Sequence, residues 1–133
     1  MALGTGSSLT AVYEELIRRY QEKTLSFRNV VVFNAYEYYP LQQESSLRTI
    51  NQLKERFLSH VDVQEQNIFS LDGFVAQDAV QDCCRLYEQR IKTFGGLDVA
   101  LIGIGRSGNI AANEPGSGIQ SMTRLILIGN TSR

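Results

Sequence analysis

The sequence predicts an α/β fold: a parallel sheet with helices on both faces, Rossmann-like and doubly wound, apparently truncated at both ends. Two continuous apolar runs, Val30-Val31-Val32-Phe33 and Val99-Ala100-Leu101-Ile102-Gly103-Ile104, have the composition of strands buried on both faces. Between and around them lie stretches with helical periodicity. Strands that alternate with helices imply parallel pairing through right-handed crossovers.

The elements follow in order. Met1-Ala2-Leu3 is all that remains of a strand feeding the loop Gly4-Thr5-Gly6-Ser7-Ser8. Leu9, Val12, Tyr13, Leu16, Ile17 and Tyr20 recur at helical spacing, with Glu14, Glu15, Arg18 and Arg19 between them, so a helix starts just after the Ser7-Ser8 cap signals. The 30–33 strand comes next. A second helix fits residues 46–59, with Leu47, Ile50, Leu53, Phe57 and Leu58 on its apolar side. Ile68-Phe69 makes a brief strand before the Asp72-Gly73 turn. A third helix runs over residues 76–93, carries Ala79, Val80, Cys83, Tyr87 and Ile91, and ends at Gly95-Gly96. The apolar run at 99–104 is the next strand, and residues 125–128 are the last element. No internal repeat or linker interrupts the 133 residues, which fit a single, partial domain.

Composition narrows the function. Thirteen Lys and Arg against fourteen Asp and Glu give a net charge of -1, so no basic excess is present to grip a nucleic acid. No apolar run reaches the roughly 18 residues of a membrane span, and the N-terminus lacks the basic start and apolar core of a signal peptide. Mean hydropathy is -0.16. These features predict a soluble, cytoplasmic, globular chain with no nucleic-acid or membrane partner. Cys83 and Cys84 are adjacent and cannot form an unstrained disulfide; they read as small helix residues in a reducing compartment. The single histidine, His60, has no companion at ligand spacing, so no metal site is expected.

Three loops fall where a parallel sheet binds ligands, beyond the carboxyl ends of its strands. Gly4-Thr5-Gly6-Ser7-Ser8 opens a helix, where exposed N–H groups favour an anion and the hydroxyls of Thr5, Ser7 and Ser8 add donors. It fits neither the Walker nor the dinucleotide spacing, and an ordinary N-cap is the simpler reading. Gly103-Ile104-Gly105-Arg106-Ser107-Gly108-Asn109 is a second glycine-rich turn. In Asn113-Glu114-Pro115-Gly116-Ser117, Glu114 is either a general acid/base or a solvated carboxylate.

Together these loops resemble the glucosamine-6-phosphate deaminases, also called isomerases. The resemblance rests on Leu3-Gly4-Thr5-Gly6-Ser7-Ser8, Leu25-Ser26-Phe27-Arg28-Asn29-Val30-Val31-Val32-Phe33-Asn34, Glu37-Tyr38 and His60-Val61-Asp62-Val63. It continues through Tyr87-Glu88, Gly95-Gly96-Leu97-Asp98, Gly103-Ile104-Gly105 and Asn113-Glu114-Pro115-Gly116-Ser117. The last motif separates this family from the phosphogluconolactonases. The match runs in order along the whole chain and implies that the chain spans only the middle of a longer domain.

The resemblance implies conversion of an open-chain amino-sugar phosphate to fructose-6-phosphate and ammonia, without metal or organic cofactor, in a family that tends to form homo-oligomers. It implies a phosphate contact at Gly4, Thr5, Gly6, Ser7 and Ser8. The catalytic positions are substituted. The family's Asp base is Tyr36 here, and phenols ionise only near pH ~10, which makes a poor base. Consecutive side chains in extended backbone point to opposite sides, so Glu37 beside it is not expected to take over. The ring-opening His is Asn109, which cannot shuttle protons, and the acidic residue before it is Ser107. Only Glu114 of the titrating set remains. Arg124 matches a basic position of the allosteric phosphate site, but Ile126 replaces a lysine and Gly118 a serine, so no effector control is expected. His60 reads as structural at a helix end, and Arg106 as a solvated arginine or a phosphate contact. The expected function is therefore a deaminase-like site with impaired catalysis. The alternatives are a non-catalytic sugar-phosphate-binding or regulatory module, and a decayed, truncated gene product.

Overall fold

The computed structural model describes residues 1–42 and 45–129. Among these, four short strands, β1 (Ala2–Leu3), β2 (Val32–Asn34), β3 (Ile68–Phe69) and β4 (Ala100–Leu101), form one sheet in the order β3-β2-β1-β4. All three pairings are parallel: Ala2 lies opposite both Phe33 and Ala100, and Val32 opposite Ile68. Three helices complete the layers: α1 (Thr10–Gln21), α2 (Thr49–Arg56) and α3 (Val80–Thr93).

Strand alternation divides the core into two layers. On one face, Leu3 and Val32 meet Leu9 and Tyr13 at the start of α1, and Ile50, Leu53, Phe57 and Leu58 in and after α2. The rings of Tyr13 and Phe57 stack at 5.0 Å, and Phe27 meets Phe57 edge-on at 5.2 Å. On the other face, Phe33 stacks on Phe69 and takes the edge of Tyr87 from α3, with Arg90 lying over Phe69. Helices thus cover both faces, as the sequence predicts. Outward-facing Glu15, Arg18, Arg19 and Glu22 form ion pairs along α1. Val12, grouped with the apolar stripe above, is 40% exposed.

Several boundaries differ from the expectation. The second strand begins at Val32 rather than Val30, because Val30 is drawn into a turn with its N–H on Phe27 O. The second helix is confined to Thr49–Arg56, followed by a single 3-10 turn at Leu58–His60. α3 closes as read: Gly95 and Gly96 adopt φ of 83° and 95°, and their N–H groups bond Lys92 O and Ile91 O. The largest departures lie at β4. Only Ala100 and Leu101 pair, since β1 offers just two strand residues and the far edge of β4 has no neighbour among the described residues. The apolar residues at 125–128 form no strand, and Leu127 is 92% exposed.

Candidate functional site

The strand order reverses at β1: the chain runs to β2 and β3 on one side and returns to β4 on the other. A doubly wound sheet opens its ligand crevice at that reversal. Gly4 and Gly103 leave the carboxyl ends of β1 and β4 there. Gly4 N–H bonds Leu101 O at 2.9 Å. A Cβ on Gly4 would sit 3.4 Å from that same oxygen, and one on Gly103 would lie 3.0 Å from Ser8 Oγ. The two glycine loops are therefore in contact, and bare backbone is what allows it.

The first loop is held from behind. The Tyr13 hydroxyl, on α1, donates to Gly4 O at 2.6 Å, and Arg56 Nη1, at the end of α2, donates to Thr5 O at 2.6 Å. Burial pushes the Tyr13 phenol well above its ordinary range, nearby Tyr36 adds to this, and Arg56 opposes it, so the hydroxyl stays a donor. Thr5 is buried, and its hydroxyl shares a 2.7 Å hydrogen bond with the Tyr36 hydroxyl. Ser7 and Ser8 are exposed in the 3-10 turn that leads into α1.

Next to this loop is a cleft of about 790 Å³, lined by Tyr36, Asn109 and Glu114 together with Glu37, Glu88 and Arg124. Three of the four residues picked out as catalytic positions thus share one cavity. Ser107 is outside the lining but reaches it through its hydroxyl, which donates to Asn109 Oδ1 at 2.8 Å. The Gly4–Ser8 loop is also outside the lining and touches it through Thr5 and Tyr36.

The cleft carboxylates differ in how they are occupied. Glu37 accepts the Thr49 N–H on both oxygens and the Thr49 hydroxyl on Oε2, so it caps the start of α2. Glu88 accepts the Thr123 N–H at 2.8 Å and its hydroxyl at 2.6 Å. Glu114 Oε1 takes one longer bond, 3.2 Å, from Gly129 N–H. Asn109 is tied at both ends of its amide, with Nδ2 on Ala111 O at 2.7 Å, and its Oδ1 lies where a Cβ on Gly105 would fall. The amide therefore staples its own turn. Arg124 donates to Asn113 Oδ1 and Ser117 Oγ and so braces the 113–117 loop. His60 meets Glu55 O, as a helix-end residue would, and Arg106 is exposed. Among the described residues, no group of three His, Cys, Asp or Glu is placed to hold a metal ion.

Two residues that shape this site carry no signal in the sequence. Arg56 is 51 positions from the peptide it grips, and Tyr13 reads only as one more apolar member of its helix.

A parallel sheet whose glycine loops meet at the strand-order reversal defines a doubly wound α/β domain. More narrowly, the chain belongs to the family of glucosamine-6-phosphate isomerases and 6-phosphogluconolactonases, whose model matches residues 1–132. It is 59% identical over its full length to a glucosamine-6-phosphate deaminase-like protein of Bacteroides thetaiotaomicron, of which it covers 20%. Over 94% of its length it is 39% identical to the glucosamine-6-phosphate deaminase of Dictyostelium discoideum, covering 46% of that protein. Its fold superposes on a monomeric glucosamine-6-phosphate deaminase with a TM-score of 0.87 at 33% identity, over 98% of this chain and 54% of the other. A 6-phosphogluconolactonase from Thermotoga maritima, at 21% identity and a TM-score of 0.67, shares the fold. The chain thus spans between 20% and 54% of the length of these relatives. No helix among the described residues is long and apolar enough to cross a membrane.

Proposed function

We propose that this chain, acting in the cytoplasm as a single partial domain, forms an amino-sugar-phosphate site of the deaminase type with impaired deamination. The Gly4, Thr5, Gly6, Ser7 and Ser8 loop receives the phosphate at the start of α1. Tyr36 and Asn109 occupy the base and ring-opening positions, Ser107 orients Asn109, and Glu114 is the one group left to move a proton. No metal or organic cofactor takes part. The observation that carries this reading is the 2.7 Å bond between Tyr36 and Thr5: a phenol stands beside the anion loop, in the cleft that holds Glu114. A phenol and a stapled amide supply neither a carbon-acid base nor a ring-opening imidazole.

Titration calorimetry with glucosamine-6-phosphate, run beside an ammonia-release assay, tests it. Binding with turnover far below the ordinary ~1–10³ s⁻¹ range is expected. The double substitution Tyr36→Asp with Asn109→His should raise ammonia release by about 10² or more, since each positioned acid/base group contributes about 10²–10⁴. Turnover at ordinary rates by the unaltered chain refutes the proposal. Binding with no turnover in either form points instead to a non-catalytic binding module.

A further inference from the structure

We propose that Arg56 is a positioning residue of the anion loop: by gripping Thr5 O from the end of α2, it turns the next peptide's N–H toward the phosphate. The inference rests on the reading that this loop takes a phosphate. In a planar trans peptide, the carbonyl of one residue and the N–H of the next point in opposite directions. Arg56 Nη1 fixes Thr5 O at 2.6 Å, so the Gly6 N–H is aimed away from α2. Tyr13 does the same one peptide earlier, fixing Gly4 O at 2.6 Å and aiming the Thr5 N–H away from α1. Each N–H group is thereby turned from the helix that holds its carbonyl, and among the described residues neither has a backbone acceptor. Two such backbone donors at the entry to a helix suit an oxyanion.

The two tethers differ in kind. Tyr13 is buried in the core, whereas Arg56 lies at the exposed end of α2, 51 residues from its target, and brings a full positive charge to the loop. That charge adds long-range attraction for the anion. The same contact ties the anion loop to the helix that Glu37 caps at its other end, so one short helix links the loop to a wall of the cleft.

The test uses the whole chain and inorganic phosphate, followed by amide nitrogen–proton correlation NMR. In the unaltered protein, the Thr5 and Gly6 amide signals should shift as phosphate is added. Arg56→Met should weaken phosphate roughly tenfold, as expected for losing a charge-assisted hydrogen bond. Arg56→Lys, which keeps a donor and the charge, should recover to within about threefold, a rescue that simple packing would not produce. Tyr13→Phe removes only the hydroxyl and serves as a second probe, disturbing the Thr5 signal more than that of Gly6. If the unaltered chain shows no shift, the phosphate reading and this inference fall together. If it responds and Arg56→Met responds equally well, the positioning role alone is wrong.

Discussion

Asn34 is the buried polar residue on which the walls of the cleft converge, and replacing it with Ala should be costly. Its Nδ2 donates to Tyr36 O at 3.0 Å and Thr49 Oγ1 at 2.9 Å, while Oδ1 accepts the Leu71 N–H at 2.9 Å and the Tyr87 hydroxyl at 2.8 Å. Truncation does not orphan every partner. Tyr36 O keeps the Thr49 hydroxyl at 2.8 Å, and the Tyr87 hydroxyl keeps Asn34 O at 2.9 Å. The Leu71 N–H loses its side-chain acceptor, a loss of about 1–3 kcal/mol for a donor left unpaired. Each bond lost without stranding a partner is worth about 0.5–1.5 kcal/mol. Together these predict a loss of roughly 3–7 kcal/mol, a large share of the roughly 5–15 kcal/mol available to a domain. Urea unfolding followed by circular dichroism measures it. Tyr87→Phe, which removes a single hydroxyl, should cost about 1 kcal/mol and sets the scale. An Asn34→Ala loss below about 1 kcal/mol would refute the reasoning, because the four bonds would then be geometric coincidence rather than a tether.

Two further substitutions probe the frame around the site. Asp62 accepts the Ser26 hydroxyl at 2.7 Å and the Phe27 N–H at 2.6 Å, and these bonds hold its carboxyl below the usual range. A depressed folded-state value stabilises above the unfolded value of ~3.9 and is lost as pH falls through the folded value. Asp62→Ala should thus be less stable at neutral pH, the gap closing in acid; thermal melts that keep a constant gap down to strong acid would contradict this. A Cβ on Gly73 would lie 2.6 Å from Tyr38 O and 2.7 Å from Leu41 Cδ1, so Gly73→Ala should cost about 1–3 kcal/mol in urea unfolding. Gly6→Ala, with Ser8 Oγ 3.7 Å away, should stay within about 0.5 kcal/mol.

The order of strands and helices was legible because continuous apolar runs alternate along the chain with stretches of helical spacing. Extent was not, because it depends on neighbours. Ile102 and Ile104 read as strand, yet β4 ends at Leu101, and Ile104 instead bridges Ile110 within the glycine turn. Residues 125–128, read as the last element, form no strand, because a strand requires a partner to pair with. Tyr36, Asn109 and Glu114 each stand in a sequence motif, and the structure brings all three to one cleft. Motifs do not encode occupancy. That Glu37 and Glu88 cap backbone N–H groups, and that Asn109 staples its turn, are facts of three-dimensional closure. Arg56 was invisible for the same reason.

The contact between Tyr36 and Thr5 couples the two halves of the proposed chemistry. On the reading given above, a carboxylate at position 36 would stand near a bound phosphate, and the two anions would repel. At a separation on the order of 8 Å and an effective dielectric of about 20, that repulsion is on the order of 2 kcal/mol, less where water screens it. A working base beside the anion loop therefore costs substrate affinity, a cost that a faster proton transfer can justify. Once the base is a phenol, the repulsion is gone and the hydroxyl is free to brace Thr5 instead. Losing the base thus favours retention of the anion over its turnover. The Tyr36→Asp change should then move the two quantities in opposite directions, with ammonia release rising and affinity for the sugar phosphate falling. A variant that gained both would sever this link and leave the Tyr36–Thr5 bond without a role in binding.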